Sequence, residues 1–428
     1  MDRRRFRLVL AALFLLGLAV RIAYALLADV PQGFGDDVWF DAVANGLVHG
    51  RGFSDPFHSL GPGGVVGFGQ YGSPLVTAFH PPLFPFVLAI PSALGLESYT
   101  AHQIVACVLA ATAIPLLGLV GRRLAGDRAG IAAAVIAAVF IPLVANDALL
   151  LSESIYGPLI ALALLAALRL RERPDTRRAL ELGAVIGLAA LTRSEALLLL
   201  PFLAVPIVWH SDSRGRAIAV TCAAAILVCL PWCVRNSLQF DQPTAITTGD
   251  GSVIAGANLP STYYGPNIGS WDFHGLYQTP AGRHVDPNEA VQSDRWRSEG
   301  VTFAREHASR LPAVIVARLG RTWDLFPLSP GERVALSAEQ SKHIRTLEWP
   351  GMAMLYAVYV LAVIGALALR RRGSPLWPLL APVLIVTLVT VLGHGDIRYR
   401  HAADVALVAL AGVGLAGMKG RPWPRPSR

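Results

Sequence analysis

Residues 81–95 read Pro-Pro-Leu-Phe-Pro-Phe-Val-Leu-Ala-Ile-Pro-Ser-Ala-Leu-Gly, and whether this stretch crosses a bilayer decides the sidedness of everything after it. It is apolar, but its length of about 15 residues falls short of the roughly 20 that a spanning helix needs. Pro81, Pro82, Pro85 and Pro91 suit an interfacial or re-entrant segment better than a span. If the stretch crossed, the cluster Arg122-Arg123-Leu124-Ala125-Gly126-Asp127-Arg128 and every later arginine cluster would face outward. If it does not, all of them share the cytoplasmic side with Met1-Asp2-Arg3-Arg4-Arg5, as the positive-inside rule demands. The second assignment is the one adopted.

Working outward, apolar runs long enough to cross occur at about Leu8–Ala28, Ala101–Gly121, Ala129–Ala145, Ser152–Leu168, Ala179–Leu191, Ala196–Trp209, Ala217–Val234, Trp349–Leu369, Pro375–Leu392 and Ala402–Met418. The composition agrees: 54% of the 428 residues are hydrophobic and 15% charged, where soluble chains carry about a quarter charged. The expected fold class is an all-α polytopic membrane protein of about ten transmembrane helices with juxtamembrane helices and a larger outer loop region. Both termini come out cytoplasmic in a multi-pass plasma-membrane protein. Ala23-Tyr24-Ala25 fits a signal-peptide cleavage rule, but Arg21 and the run to Leu27 favour an uncleaved anchor.

The formal charge of +8 rests on arginines grouped in short clusters between apolar runs, all but Lys342 and Lys419 of the 37 basic residues being Arg. That pattern orients helices, and it lacks the aromatic-interleaved basic surface of a single-strand binder, so no nucleic-acid partner is expected. Cys107, Cys222, Cys229 and Cys233 all fall in apolar stretches and read as packing residues. Three regions follow: 1–236 with a first outer loop near 30–100, an extracytoplasmic region 237–348, and 349–428 with the last spans and a basic tail.

Once sidedness is fixed, few ionisable residues remain beside the outer ends of spans: Asp36, Asp37, Asp41, Asp147, Glu153, Arg193, Glu195, Arg235 with Asn236, and Asp396-Ile397-Arg398-Tyr399-Arg400. Charges gathered at one membrane boundary suggest a site where an anionic group meets a carboxylate-driven reaction. Each also has a plainer reading. Asp36 suits the N-cap of a surface helix, Ser152 and Glu153 suit an ordinary helix start, and Thr192-Arg193-Ser194-Glu195 reads as a capping box that leaves only Arg193 unexplained. Arginines at span ends, Arg21 included, can snorkel. Against that, Arg235, Arg398 and Arg400 lie on the side where positive charge is avoided, and guanidinium forks bind phosphate. His80 with Asp36 and Glu153 is a conceivable divalent-cation set, which spacing alone does not establish.

The ordered set Gly35-Asp36-Asp37, His80-Pro-Pro-Leu-Phe-Pro85, Arg122-Arg-Leu-Ala-Gly-Asp-Arg-Ala-Gly130, Ser152-Glu-Ser-Ile-Tyr156, Leu191-Thr-Arg-Ser-Glu195, Pro231-Trp-Cys-Val-Arg-Asn236 and Arg398-Tyr-Arg400 resembles the GT-C membrane glycosyltransferases. The nearest look is to glycosyltransferase family 39, the protein O-mannosyltransferase and aminoarabinose-transferase branch. The resemblance covers most of residues 1–260 and the last two spans, and it rests on order and spacing. It implies a polyprenyl-phosphate sugar donor, an acceptor hydroxyl of a glycan, lipid or protein on the outer face, an aspartate base in the first outer loop and inversion at the anomeric carbon. Asp36 matches that base. Asp37 departs from the Glu that relatives often carry, and the choice between Asp36 and Asp37 stays open. Glu153 matches a supporting acid, His80 a position held by Lys or His, and Arg235, Arg398 and Arg400 match basic positions suited to the donor phosphate. Residues 262–348 match nothing in the family.

A transporter or lipid-linked-sugar flippase would use ten spans equally well. Such proteins place ionisable sites near mid-membrane, where these runs are almost uncharged. A noncatalytic scaffold would have no use for Asp36.

Overall fold

In hydrocarbon a backbone must satisfy its own polar groups, so uncharged Leu- and Ala-rich runs become helices. The computed structural model describes residues 1–28, 35–56, 60–61, 64–65, 75–325 and 345–417; the basic tail from Lys419 to Arg428 lies outside the described residues. Helices form at all ten expected positions. Five are long and apolar enough to cross a membrane, Arg3–Leu27, Tyr99–Ala125, Glu153–Glu172, Arg214–Phe240 and Glu348–Arg371, and a sixth is the pair Asp127–Val139 and Ile141–Ala148, bent by 52°.

The other four expected positions hold shorter helices, Ala179–Leu191 and Ala196–Trp209 being the two runs that are already short in the sequence. Thr176–Ala190, Trp377–Leu392 and His401–Ala416 are helices of 15, 16 and 16 residues. Ser194–Val208 runs through 3-10, π and α turns in succession. Physically, the chain leaves the helix early at residues 191–193 and 393–400 to supply polar side chains to a cluster described below. Leu83–Ala93, from the stretch that decides sidedness, is an 11-residue helix with Pro91 inside it, about 16 Å long and so too short to cross. A two-residue hairpin, Leu60–Gly61 against Gly64–Val65, is the one sheet among the described residues.

His401–Ala416 is the buried centre of the bundle. Its parallel neighbour Glu348–Arg371 approaches so closely that a Cβ on Gly365 would meet the Leu410 carbonyl oxygen at 2.0 Å, and one on Gly414 the Leu361 carbonyl at 2.2 Å. Small residues take the place of hydrophobic driving force between helices in lipid, because close backbones maximise dispersion contacts.

Arg21 neither snorkels nor faces the polar cluster. It is 1% exposed and spans to the bent pair, its Nε donating to Asp147 Oδ2 at 2.8 Å, Nη2 to Ala137 O at 3.1 Å and Nη1 to Gly17 O at 3.1 Å and Ala138 O at 3.5 Å. Pro142 has no N–H, so the carbonyl of Ala138 loses its helical partner; the guanidinium replaces it. His401 Nε2 lies 3.5 Å from the other oxygen of Asp147.

The helix Asp36–Val48 is fastened to its neighbours by polar bonds. The Tyr99 hydroxyl donates to Asp37 Oδ2 at 2.7 Å, His102 Nδ1 lies 2.8 Å from Asp41 Oδ1, and His102 Nε2 lies 2.9 Å from Ser92 Oγ. Ser92 Oγ also donates to Asn45 Oδ1 at 2.8 Å. Gly35, and not Asp36, holds the N-cap position, without a side-chain cap; Asp36 is the first residue of the helix, where its charge faces the positive end of the dipole.

Candidate functional site

Helix starts and helix breaks from five distant parts of the chain meet at one end of the bundle. Asp36 opens the helix Asp36–Val48, His80 precedes the helix Leu83–Ala93, Glu153 opens Glu153–Glu172, Arg193 and Glu195 occupy the interruption after Thr176–Ala190, and Arg398 and Tyr399 lie in a 3-10 turn, Ile397–Arg400. Arg169 and Arg171 end the same helix that Glu153 begins, about 24–27 Å away along its axis. The polar cluster and the arginine-rich ends are thus at opposite ends of that helix.

Arg398 is the hinge of the cluster. Its Nη1 donates to Asp36 Oδ2 at 2.6 Å and its Nε to Glu153 Oε1 at 2.6 Å. Arg193 Nη1 donates to the same Glu153 oxygen at 2.6 Å and its Nε to Glu195 Oε1 at 2.5 Å. His80 Nε2 lies 3.4 Å from Asp36 Oδ1. The Tyr399 ring lies 5.1 Å from the Arg193 guanidinium, and the Tyr156 ring lies 5.9 Å from it on a second contact. Glu153 is 1% exposed, so its charge is tolerable only because two guanidinium groups donate to it. Asp36 is 31% exposed and open to the surroundings. Burial on its own would raise the Asp36 carboxyl. The charges and hydrogen bonds of His80 and Arg398 outweigh burial and hold the group well below the usual carboxylate range.

The remaining candidates go elsewhere. Asp37, 3% exposed, is held by Tyr99 outside the cluster. Arg235 donates to the carbonyls of Thr77 at 2.8 Å and Phe53 at 3.1 Å and to Asn236 Oδ1 at 2.9 Å, with its guanidinium 4.6 Å from the Trp232 ring. Asn236 is fully buried and donates to Ala245 O at 2.8 Å. Arg400, grouped with Arg398 in sequence, points away: its Nη1 donates to Asp324 Oδ2 at 2.7 Å and its Nε to both Asp404 oxygens at 3.1 Å. In a 3-10 turn residues two apart are separated by about 240°, so 398 and 400 cannot share a face. The capping box expected at Thr192–Glu195 does not form: Thr192 Oγ1 donates to Leu188 O at 3.0 Å, and Glu195 binds Arg193 instead. Among the described residues no three His, Cys, Asp or Glu side chains converge as metal ligands. Arg398 stands between Asp36 and Glu153, which would both have to turn toward an ion.

Sequence reasoning overlooked Glu289. Its carboxylate, in the stretch 262–348 that matches no family motif, accepts from Thr248 Oγ1 at 2.6 Å, Ala78 N at 3.1 Å and Thr77 Oγ1 at 3.2 Å. Burial pushes its carboxyl upward against those hydrogen bonds. His394 was also missed. It is buried beside Tyr399 with ring centroids 4.8 Å apart, and its burial, with the charges of Arg318, Arg398 and Arg193, brings it down to about 3, so it is neutral. Neither residue sits in a pattern that a sequence shows.

With this geometry established, likeness to known proteins can be placed on it. Residues 79–234 match the family described as dolichyl-phosphate-mannose-protein mannosyltransferase. That segment contains His80, Glu153 and Arg193, while Asp36 and Arg398 lie outside it. No curated protein matches the sequence. Among solved structures, the apo oligosaccharyltransferase of Archaeoglobus fulgidus aligns with a TM-score of 0.55 at 16% identity, over 96% of this chain and 50% of that one. The same organism's AglB, solved with an inhibitory peptide and a dolichol-phosphate, aligns with a TM-score of 0.54 at 15% identity, over 95% and 50%. ArnT from Cupriavidus metallidurans, bound to undecaprenyl phosphate, aligns with a TM-score of 0.47 at 13% identity, over 97% and 78%. The chain spans about half the length of the oligosaccharyltransferase structures it matches.

The protein is therefore a polytopic membrane protein with the GT-C fold. Within that class its segment 79–234, carrying His80, Glu153, Arg193 and Glu195 of the cluster, is similar to the dolichyl-phosphate-mannose-protein mannosyltransferases.

Proposed function

We propose that the protein is a membrane glycosyltransferase that moves a sugar from a polyprenyl-phosphate carrier to an acceptor hydroxyl at the outer face, with inversion. The observation that carries this reading is the meeting of Asp36, Glu153, Arg193 and Arg398 through contacts of 2.6 Å at one end of the bundle. The family likeness supports it, and so does the dolichol-phosphate bound to AglB.

As the bond between the anomeric carbon and the carrier phosphate lengthens, negative charge grows on the departing phosphate. Arg193 and Arg398 are preplaced donors that stabilise this charge more than they stabilise the ground state. Glu153 holds both guanidinium groups in position. On the opposite face of the sugar the Asp36 carboxylate drives removal of the acceptor proton, as a single displacement requires. Asp36 is preferred to Asp37 because Asp37 is buried against Tyr99 while Asp36 faces the cluster. Both termini and the arginine-rich ends then lie in the cytoplasm.

The experiment is replacement of Asp36 by Asn, with glycan transfer assayed in membranes and lipid-linked sugars measured by mass spectrometry. Loss of transfer with normal expression, and accumulation of one polyprenyl sugar, is the expected result. Unchanged transfer contradicts the role of Asp36.

A further inference from the structure

His394 stands between the helices Trp377–Leu392 and His401–Ala416, in a segment that the extracytoplasmic region clamps from the side. Gly395 N donates to Gly269 O at 2.8 Å. Gly395 also lies so close to the helix Leu311–Thr322 that a Cβ on it would meet Arg318 O at 2.3 Å. Gly269, with a φ of +80°, approaches the same turn: a Cβ there would meet Arg318 N at 2.7 Å. The Arg318 side chain bridges the two sides, its Nη1 donating to Val391 O at 2.9 Å and its Nη2 to Ala257 O at 2.7 Å. Asp396 N donates to Thr322 Oγ1 at 3.2 Å. The backbone on both sides of one imidazole is thereby fixed, which is what a preorganised site requires.

The imidazole itself is 7% exposed, and among the described residues no hydrogen bond reaches either of its nitrogens. Buried polar groups are nearly always paired, so an unpaired imidazole this deep marks a group kept for a ligand. Its surroundings indicate which kind. The Tyr399 ring lies 4.8 Å away and the Trp271 ring 6.2 Å away, the latter stacked at 28°. Trp271 is anchored in turn: its Nε1 donates to Ser252 O at 3.0 Å and stands where a Cβ on Gly256 would come within 2.2 Å. Tyr399 lies 5.1 Å from the Arg193 guanidinium on its other contact. The imidazole is therefore two ring contacts from a guanidinium assigned above to the departing phosphate, where the sugar carried by that phosphate would lie. Arg193 and Arg398 already supply donors for phosphate, whereas the two rings beside His394 offer apolar surface to the C–H face of a sugar. Burial and the charges of Arg318, Arg398 and Arg193 keep the ring neutral. A neutral imidazole can meet a hydroxyl in either tautomer, because a hydroxyl both donates and accepts.

We propose that His394 determines donor specificity by hydrogen-bonding one hydroxyl of the transferred sugar, which it holds beside the rings of Trp271 and Tyr399. This rests on the transfer reaction proposed above and adds to it the contact that reads the sugar; the aspartate base and the arginine donors keep their roles. It also gives residues 262–348 a part in the reaction, since Trp271 forms one wall of the subsite and Arg318 fixes the segment that carries His394. A site built to bond a substrate hydroxyl rejects the analogue that lacks it far more strongly than an apolar pocket could, because the buried partner is then left unpaired.

The test uses the full chain in nanodiscs, with polyprenyl-phosphoryl mannose, glucose, galactose and arabinose as donors and methyl glycosides as acceptors. The donor turned over best is then compared with its deoxy analogues, one hydroxyl removed at a time. In the wild type, loss of one particular hydroxyl is expected to lower kcat/KM about 10- to 100-fold. His394→Phe keeps a ring in place and removes both nitrogens. It is expected to show a loss of similar size with the parent donor and to turn over that deoxy donor as well as the parent, while the other deoxy donors keep their wild-type ratios. Removing the hydroxyl and removing the imidazole then break the same bond, as in a double-mutant cycle. A phenylalanine variant that slows every donor equally and discriminates among the deoxy analogues as the wild type does overturns the proposal. So does a wild type that loses less than about threefold with every deoxy donor, a result that does not depend on how the variant folds. A wild type that turns over none of the parent donors overturns the transfer reaction itself, so the two failures are distinguishable.

Discussion

Arg398 and Asp36, 362 positions apart in the chain, are joined by a hydrogen-bonded ion pair of 2.6 Å. The contact brings the start of the first juxtamembrane helix against the turn before the last helix. It also fixes the one carboxylate of the cluster that remains substantially open. Replacing Arg398 by Gln removes a donor from the place where phosphate charge would develop, and transfer should fall about 10²- to 10³-fold in kcat. In a double-mutant cycle with Asp36→Asn the losses should be clearly less than additive, because each change disables the same pair. Steady-state transfer assays on the four proteins supply the measurement, and strictly additive losses would separate the two residues.

Glu153 should matter for stability as well as activity. It is buried and accepts from both Arg193 and Arg398. Replacement by Ala leaves two guanidinium groups without their shared partner, a loss of about 3–5 kcal/mol on the scale of broken buried pairs. Glu195, more exposed and bonded to Arg193 alone, should cost much less when changed to Gln. Thermal unfolding in detergent compares the two variants directly.

The buried pair Arg21–Asp147 separates attraction from desolvation. Either Arg21→Met or Asp147→Asn alone strands a partner in an apolar interior, with a loss on the order of 3–5 kcal/mol. The double replacement Arg21→Met with Asp147→Leu removes both charges. It should recover most of that loss, less whatever the Ala137 and Ala138 carbonyls forfeit without the guanidinium. Unfolding midpoints of the three variants decide it, and a double variant worse than either single one would show the pair to be net stabilising.

Acid should destabilise the protein through Asp36 in a defined direction. A carboxyl held low in the folded state favours folding above its unfolded value of about 3.9, and that contribution disappears as pH falls through the lower folded value. Stability should therefore decline below about pH 4 more steeply in the wild type than in Asp36→Asn. Melting temperatures measured from pH 6 downward test this, and parallel curves would contradict it.

Much of this arrangement was legible in the sequence because lipid imposes a simple rule on composition. Uninterrupted apolar runs marked helix positions, and arginine clusters marked a common side, which in turn singled out a longer set of outer-end residues; of these Asp36, Glu153, Arg193, Glu195, Arg398 and Tyr399 do meet, whereas Asp37, Arg235 and Arg400 bind elsewhere. Lengths were less legible. The helix after Thr176 stops at Ala190, and Trp377–Leu392 stops before His394, because the chain is needed in the cluster, a tertiary demand that local composition does not record. Partners were least legible. Arg398 and Arg400 look alike in sequence, yet one meets Asp36 and the other Asp324 and Asp404. The use of Arg235 and Glu289 to fasten Thr77 and Ala78 depends on contacts across more than 150 positions for Arg235 and more than 200 for Glu289.

Sidedness is the claim on which the rest stands, and it is open to one direct measurement. In a cysteine-free background, single cysteines at positions 36 and 398 can be exposed to a membrane-impermeant thiol reagent added to intact cells, with lysed cells as the reference. Both positions should react from outside, to the same side as each other, while a cysteine at position 171 should react only after lysis. Labelling of 36 and 398 from opposite sides would contradict the account.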